Sequence, residues 1–252
     1  MNFKKSINNI QEFKEIIAKE QYYGNPTFPF SQENDFEELA EFFKGKSVAI
    51  VGPAPDLIGQ HKGEEIDGYD IVCKVGSMYN INDPENYGSR IDVLFNGCFP
   101  SHYKLDDFKN HNIKRIICPI KPCIPNLLDV QKRDIYGFYK KLDDYHKDIC
   151  FNNISLFSCY IDNVMKTRAT LGTFAILFLL NMELKELGIY GFTWLFGKQQ
   201  YNKQYHDFNK RIINPHGTKM EIEARFIKNT IKKKNFKIIC SIEVKNILDT
   251  FN

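Results

Sequence analysis

Seven short apolar runs alternate along this chain with segments of helical spacing, and that alternation restricts the fold more than any other feature. The runs are SVAIVG (47–52), DIVCKV (70–75), IDVLFNG (91–97), KRIICPI (114–120), ISLFS (154–158), LGIYGF (187–192) and FKIICS (236–241). Most are apolar throughout, as strands are when both sheet faces are covered. Apolar spacing predicts helices over 9–21, 35–44, 126–145, 170–183, 218–233 and 242–250. Strands that alternate with helices build a mostly parallel central sheet flanked by helices, an α/β fold. Residues 1–45 are expected as an N-terminal helical lead-in and 46–252 as the main domain.

Composition narrows the function classes. With 252 residues and 43% hydrophobic content the chain can bury a large core. A net charge of +3 is too small to point to nucleic acid, and no nucleic-acid partner is expected. Lys232, Lys233 and Lys234 fall at the end of an expected helix, where a solvated basic C-terminus explains them. The longest apolar run, LGTFAILFLLNM (171–182), is well short of the roughly 20 residues that span a bilayer. Residues 1–24 are polar and charged, so neither a signal peptide nor a membrane anchor is expected. Seven cysteines without a CxxC pair suggest neither a zinc ribbon nor a disulfide framework. The expected location is the cytosol, with peripheral contact at the inner membrane face left open.

In parallel sheets ligands bind beyond the carboxyl ends of the strands, which directs attention to the residues just after each run. After VAIVG comes Pro53-Ala54-Pro55-Asp56, a turn in which two positions have no N–H to donate. Gly52 gives a ligand room there, and the N–H groups of Ala54 and Asp56 are expected to be free. Gly76 and Ser77 follow the second run, and Asn96 and Gly97 the third. The helix from 171 is apolar all round and therefore buried, and its first N–H groups have no partner within the helix. Thr170, Gly172 and Thr173 are small enough there to admit an anion, although helix capping by Thr170 alone explains the same composition. Thr218 and Glu221 fit a capping box, which puts His216 just ahead of a helix. A helix N-terminus favours a neutral imidazole, suited to act as a general base. Tyr205, His206 and Asp207 form a polar cluster in the loop before it. The six histidines share no metal-ligand spacing, and no P-loop, dinucleotide fingerprint or nucleophile elbow is present.

The order of these pieces resembles glycosyltransferase family 29, the eukaryotic-type sialyltransferases. VAIVGPAPDLIGQHKGEEIDGYDIVCKVG with YGSRIDVLFNG is similar to the large sialyl motif, matching at Gly63, Ile66, Asp67, Asp70, Val72, Gly88, Ser89 and Arg90. RATLGTFAILFLLNMELKELGIYGF resembles the small motif, QYHDF the short aromatic motif, and HGTKME the last motif of His, four residues and Glu. Bacterial family 42 sialyltransferases show a more distant likeness. The resemblance implies a Rossmann-like single nucleotide-binding domain, the GT-A-like variant of sialyltransferases, over 46–252. It implies inverting, metal-independent transfer of a sialic acid, or a related ulosonic acid, from a CMP-sugar donor to a glycan or glycolipid acceptor. It implies no cofactor and no metal. His216 would be the catalytic base. Gly52, Pro53, Ala54, Asn96, Thr170, Leu171, Gly172, Tyr205, His206 and Glu221 would bind the donor. The chain departs from the family at Pro53 and Gly76, where asparagines are usual, at Leu171, and in lacking the two bridging cysteines. These departures leave a CMP-Kdo donor, or a nucleotide- or glycan-binding protein without transfer activity, as alternatives.

Overall fold

The structure, a computed structural model, describes residues 32–97, 108, 111–119, 141, 148–194, 201–205 and 220–251. Seven strands form one sheet: β1 Ser47–Val51, β2 Ile71–Val75, β3 Val93–Phe95, β4 Arg115–Cys118, β5 Cys150–Asn153, β6 Glu186–Tyr190 and β7 Lys237–Cys240. Their order is β5-β4-β3-β2-β1-β6-β7, and every neighbouring pair is parallel. The chain works outward from β1 to β5 and then returns to the other side of β1 with β6. The topological switch point therefore lies between β1 and β6, where such sheets open a crevice.

The helices are α1 Gln32–Phe43, α2 Gly63–Asp67, α3 Pro84–Tyr87, α4 Ser155–Met165, α5 Leu171–Leu180, α6 Met220–Ile231 and α7 Ile242–Asp249. One strand differs from expectation. ISLFS is the start of α4, because Ile154, Phe157 and Ile161 recur at helical spacing and are buried on one side. The strand lies just before it, at Cys150–Asn153. The helices expected at 9–21 and 126–145 fall outside the described residues, apart from Lys141.

The core is dominated by α5, buried from Thr173 through Leu180. Phe178 packs its ring on Phe36, Phe43, Phe95, Phe157 and Phe174, with centroids between 5.5 and 6.2 Å. Phe36 and Phe43 come from α1, so this stretch of the expected lead-in shares the core of the sheet domain. Among the described residues no helix is long and apolar enough to cross a membrane.

The residues that match the large motif lock the amino ends of β1, β2 and β3 together. The Asp67 carboxylate accepts from Ser89 N at 2.8 Å, Ser89 Oγ at 2.7 Å and Arg90 N at 3.0 Å. Burial pushes that carboxyl up, but the donors of Ser89 and Arg90 outweigh it and hold it below the usual carboxylate range. Arg90 spreads its guanidinium over the carbonyls of Asp67, Tyr69 and Asp70 and the Asp92 carboxylate. Asp70 in turn accepts from Ser47 N and Oγ, both at 2.8 Å. Charged donors and acceptors bonded this way are stronger than neutral pairs, so these motif residues fix strand register.

Candidate functional site

Four strand ends, those of β1, β6, β2 and β3, and one helix start line this side of the sheet. The β1–β6 ladder continues past the strands: Gly52 N donates to Tyr190 O at 2.8 Å and Ala54 N to Gly191 O at 3.0 Å. The N–H of Ala54, expected to be free, is thus used by the neighbouring strand end. A side chain at Gly52 would meet Gly191 O at 2.4 Å and the Phe192 ring at 2.8 Å. The glycine lets two backbones touch, in place of leaving room for a ligand. Pro53 is buried, and its carbonyl accepts from Asn202 N at 2.7 Å. Proline suits this position because it brings no N–H to satisfy. The Ala54 carbonyl accepts from Tyr87 Oη at 2.7 Å, and Asn202 Nδ2 donates to that same phenol oxygen at 3.2 Å.

At the ends of β2 and β3, Asn96 is fully buried, and its Nδ2 donates to Gly76 O at 3.1 Å. Gly76 takes φ +59°, and its N–H donates to Phe95 O at 2.8 Å. Tyr205 lies over that glycine, its ring 5.2 Å from that of Tyr201. Residues 201–205 thus bridge the strand ends. Asn202 holds Pro53, Tyr205 N donates to Asn202 O at 3.0 Å, and Gln204 Oε1 accepts from Asn82 N at 2.8 Å.

The third component is the start of α5. Thr170 caps it, accepting from Thr173 N at 3.4 Å. A carboxylate absent from the sequence-based expectations sits behind this cap. Glu223 on α6 is fully buried, and it accepts from Thr170 N at 2.9 Å, from Thr170 Oγ1 at 2.7 Å, and from Thr173 Oγ1. Trp194 Nε1 donates to the same Thr173 hydroxyl at 3.2 Å. Thr170 Oγ1 and Thr173 Oγ1 each receive a donor, so their protons point at Glu223. Glu223 is the acceptor in each of these bonds. Burial raises the neighbouring Tyr201 phenol, and the Glu223 charge adds to the rise. The N–H groups of Leu171 and Gly172 have no acceptor among the described residues, and both residues are half-buried. The Phe192 ring lies against Gly172, within 2.8 Å of where a side chain would start, and also against Gly52.

Lys74 is a further buried charge. Val75 and Phe95 are level in register, and Phe95 packs on α5, so Lys74 points to the opposite sheet face. Its Nζ donates to Gly88 O at 2.8 Å, and burial lowers its pKa to about 8 against the pull of Asp67.

Of the expected site residues, the structure therefore gathers Gly52, Pro53, Ala54, Asn96 and Tyr205 around the strand ends. Thr170, Leu171 and Gly172 lie beside them, joined through Phe192. Glu221 is elsewhere: it is exposed on α6 and pairs with Arg225 at 2.8 Å. His216 and His206 lie outside the described residues. Glu223 was legible as a carboxylate interrupting the apolar positions Ala224 and Ile227, but the capping box drew attention to Glu221. Among the described residues, no group of three or more His, Cys, Asp or Glu could hold a metal ion.

No protein-family model matches the chain, and no curated protein matches it. Solved structures do share its fold. CstII, a Campylobacter jejuni sialyltransferase solved with the substrate analogue CMP-3FNeuAc, aligns at TM-score 0.50 and 16% identity, over 77% of this chain and 79% of that one. Cst-I, an α-2,3-sialyltransferase of the same organism, aligns at 0.51 and 17% identity, over 79% and 77%. A mammalian sialyltransferase aligns at 0.50 and 13% identity, over 93% and 86%. The chain thus has the Rossmann-like, GT-A-like fold of these sialyltransferases, a single parallel sheet flanked by helices.

Proposed function

We propose that this protein is an inverting, metal-independent glycosyltransferase. It moves a sialic acid, or a related ulosonic acid, from a CMP-activated donor to a hydroxyl of a glycan or glycolipid. The observation that carries this reading is the start of α5 at the switch point. There two backbone N–H groups have no acceptor among the described residues, on a fold shared with a sialyltransferase solved with cytidine 5′-monophosphate.

In this reading the N–H groups of Leu171 and Gly172 hold a donor phosphate or carboxylate oxygen, and Asn96 and Tyr205 frame the nucleotide. His216 accepts the proton of the acceptor hydroxyl. The hydroxyl oxygen forms its bond to the anomeric carbon on the face opposite the leaving group. The anomeric carbon–phosphate oxygen bond breaks, and CMP departs with the electron pair. Every step is a displacement aided by proton transfer, and no metal is required. Gly76 and Pro53, standing where the resembled family has asparagine, favour a second reading with the same chemistry and a CMP-Kdo donor.

The test is CMP release from a panel of CMP-sugars, with and without EDTA. Release from CMP-sialic acid that EDTA leaves intact supports the reading, release from CMP-Kdo alone moves the donor, and no CMP binding ends it. His216→Ala is expected to keep CMP affinity while turnover falls by about two or more decades, the range of a lost general base.

A further inference from the structure

Gly76 and Tyr205 are 129 positions apart, yet they compete for one volume. A Cβ on Gly76 would fall 1.9 Å from Tyr205 Oη and 3.0 Å from Cζ. The backbone at 76 is left-handed, at φ +59°, which asparagine tolerates better than most residues. What bars a side chain there is the phenol of Tyr205. The segment that carries that phenol is anchored on both sides. Tyr205 N bonds to Asn202, Asn202 N bonds to Pro53 at the end of β1, and Gln204 bonds to Asn82 N just after the β2 turn. Across the same glycine, Asn96 Nδ2 grips the Gly76 carbonyl from β3. A buried phenol and a buried amide thus bracket residue 76 at the carboxyl ends of β2 and β3.

We propose that Gly76 and Tyr205 act as one specificity element. The glycine leaves the end of β2 bare so that the Tyr205 hydroxyl, carried in by residues 201–205, becomes the polar group that faces the nucleotide there. The inference rests on the reading of this crevice as a CMP site. It assigns the side-chain contact at the end of β2 to a residue from a distant segment, anchored on β1 and on the loop after β2.

The experiment is a double-mutant cycle read by calorimetry with CMP and with cytidine, alongside thermal unfolding. Tyr205→Phe removes only the hydroxyl and is expected to weaken nucleotide binding about fivefold, as for one lost hydrogen bond, and the unfolding midpoint reads any structural share of that loss. Gly76→Ala is expected to weaken binding at least about tenfold, through left-handed strain and displacement of the phenol. In the Tyr205→Phe background, Gly76→Ala is expected to cost about threefold or less, since the worst contact is gone and only the left-handed strain and a tight 3.0 Å approach to Cζ remain. Additive losses, or a Tyr205→Phe protein with unchanged affinity, would overturn the proposal. Tighter binding in Tyr205→Phe would make the tyrosine a plug and overturn it as well. A wild-type protein that binds neither CMP nor cytidine sinks the nucleotide reading itself, a result distinct from these.

Discussion

Asp56 is the place where a single substitution should make this protein more stable at neutral pH. It lies in the short turn after β1, and neither carboxylate oxygen has a hydrogen-bond partner from another described residue. Burial pushes its pKa up from 3.8 to about 6, its own backbone N–H holds it back in part, and Glu243 on α7 adds to the rise. The sign follows from proton linkage. Below about pH 4 the folded and unfolded chains both hold the proton, and Asp56 adds no pH dependence. Between about 4 and 6 the folded protein still holds a proton that the unfolded chain has released, so stability falls as pH rises. Above about 6 the full penalty is present. A rise of two units corresponds to about 3 kcal/mol at most, and solvent around this half-buried residue reduces it to about 1–2 kcal/mol. Asp56→Asn keeps the shape and removes the charge. For a chain of this size its unfolding midpoint should rise by roughly 3–6 °C at pH 7.5, and the gain should vanish toward pH 4. Thermal unfolding of both proteins by circular dichroism, across that pH range, measures it. A gain that is the same at pH 4 and pH 7.5 would refute the electrostatic reasoning. So would an asparagine variant that is less stable at pH 7.5.

Other substitutions probe the remaining framework. Glu223→Gln should destabilise by about 2–4 kcal/mol, because an amide NH2 in that pocket must face either the Thr170 N–H or two hydroxyl donors; urea unfolding reads it, and no change would mean the carboxylate is dispensable. Phe178→Ala should cost about 3–5 kcal/mol, since the fully buried ring packs on five other phenylalanines; a loss under about 1 kcal/mol would contradict the packing described. Asp67→Asn should lower stability mainly above the carboxyl's ordinary range, because its folded pKa is depressed: the wild-type advantage is present at neutral pH and is lost as pH falls through that depressed value. Unfolding midpoints at pH 7 and pH 3 test the direction.

The sheet was legible because six of its strands read as continuous apolar runs, five of them largely buried on both faces and β7 half-buried at the edge. β5 was not, since Cys150–Asn153 is an edge strand with two asparagines, while the apolar run after it belongs to a helix. The helices α2 and α3, of 5 and 4 residues, are too short to show a period. At the site, the positions at strand ends followed from topology alone. The local bonding did not: whether the Ala54 N–H meets a ligand or Gly191 depends on a strand 137 residues later. Glu221 and Glu223 stand two apart on one helix and so face different ways. The motif spacing could not tell which of them turns inward, whereas the apolar neighbours Ala224 and Ile227 could.

Phe192 joins parts of the chain that sequence keeps far apart. Its ring is in contact with Gly52 at the end of β1 and with Gly172 at the start of α5. A methyl group at either glycine would have to move the ring, and a moved ring presses on the other. Positions 172 and 192 are therefore free to change only as a pair, while Gly52 is held besides by the Gly191 carbonyl. Among distant relatives, a larger residue at 172 should travel with a smaller one at 192, and 52 should stay glycine. A library that randomises one of the three while fixing the other two will recover little beyond glycine.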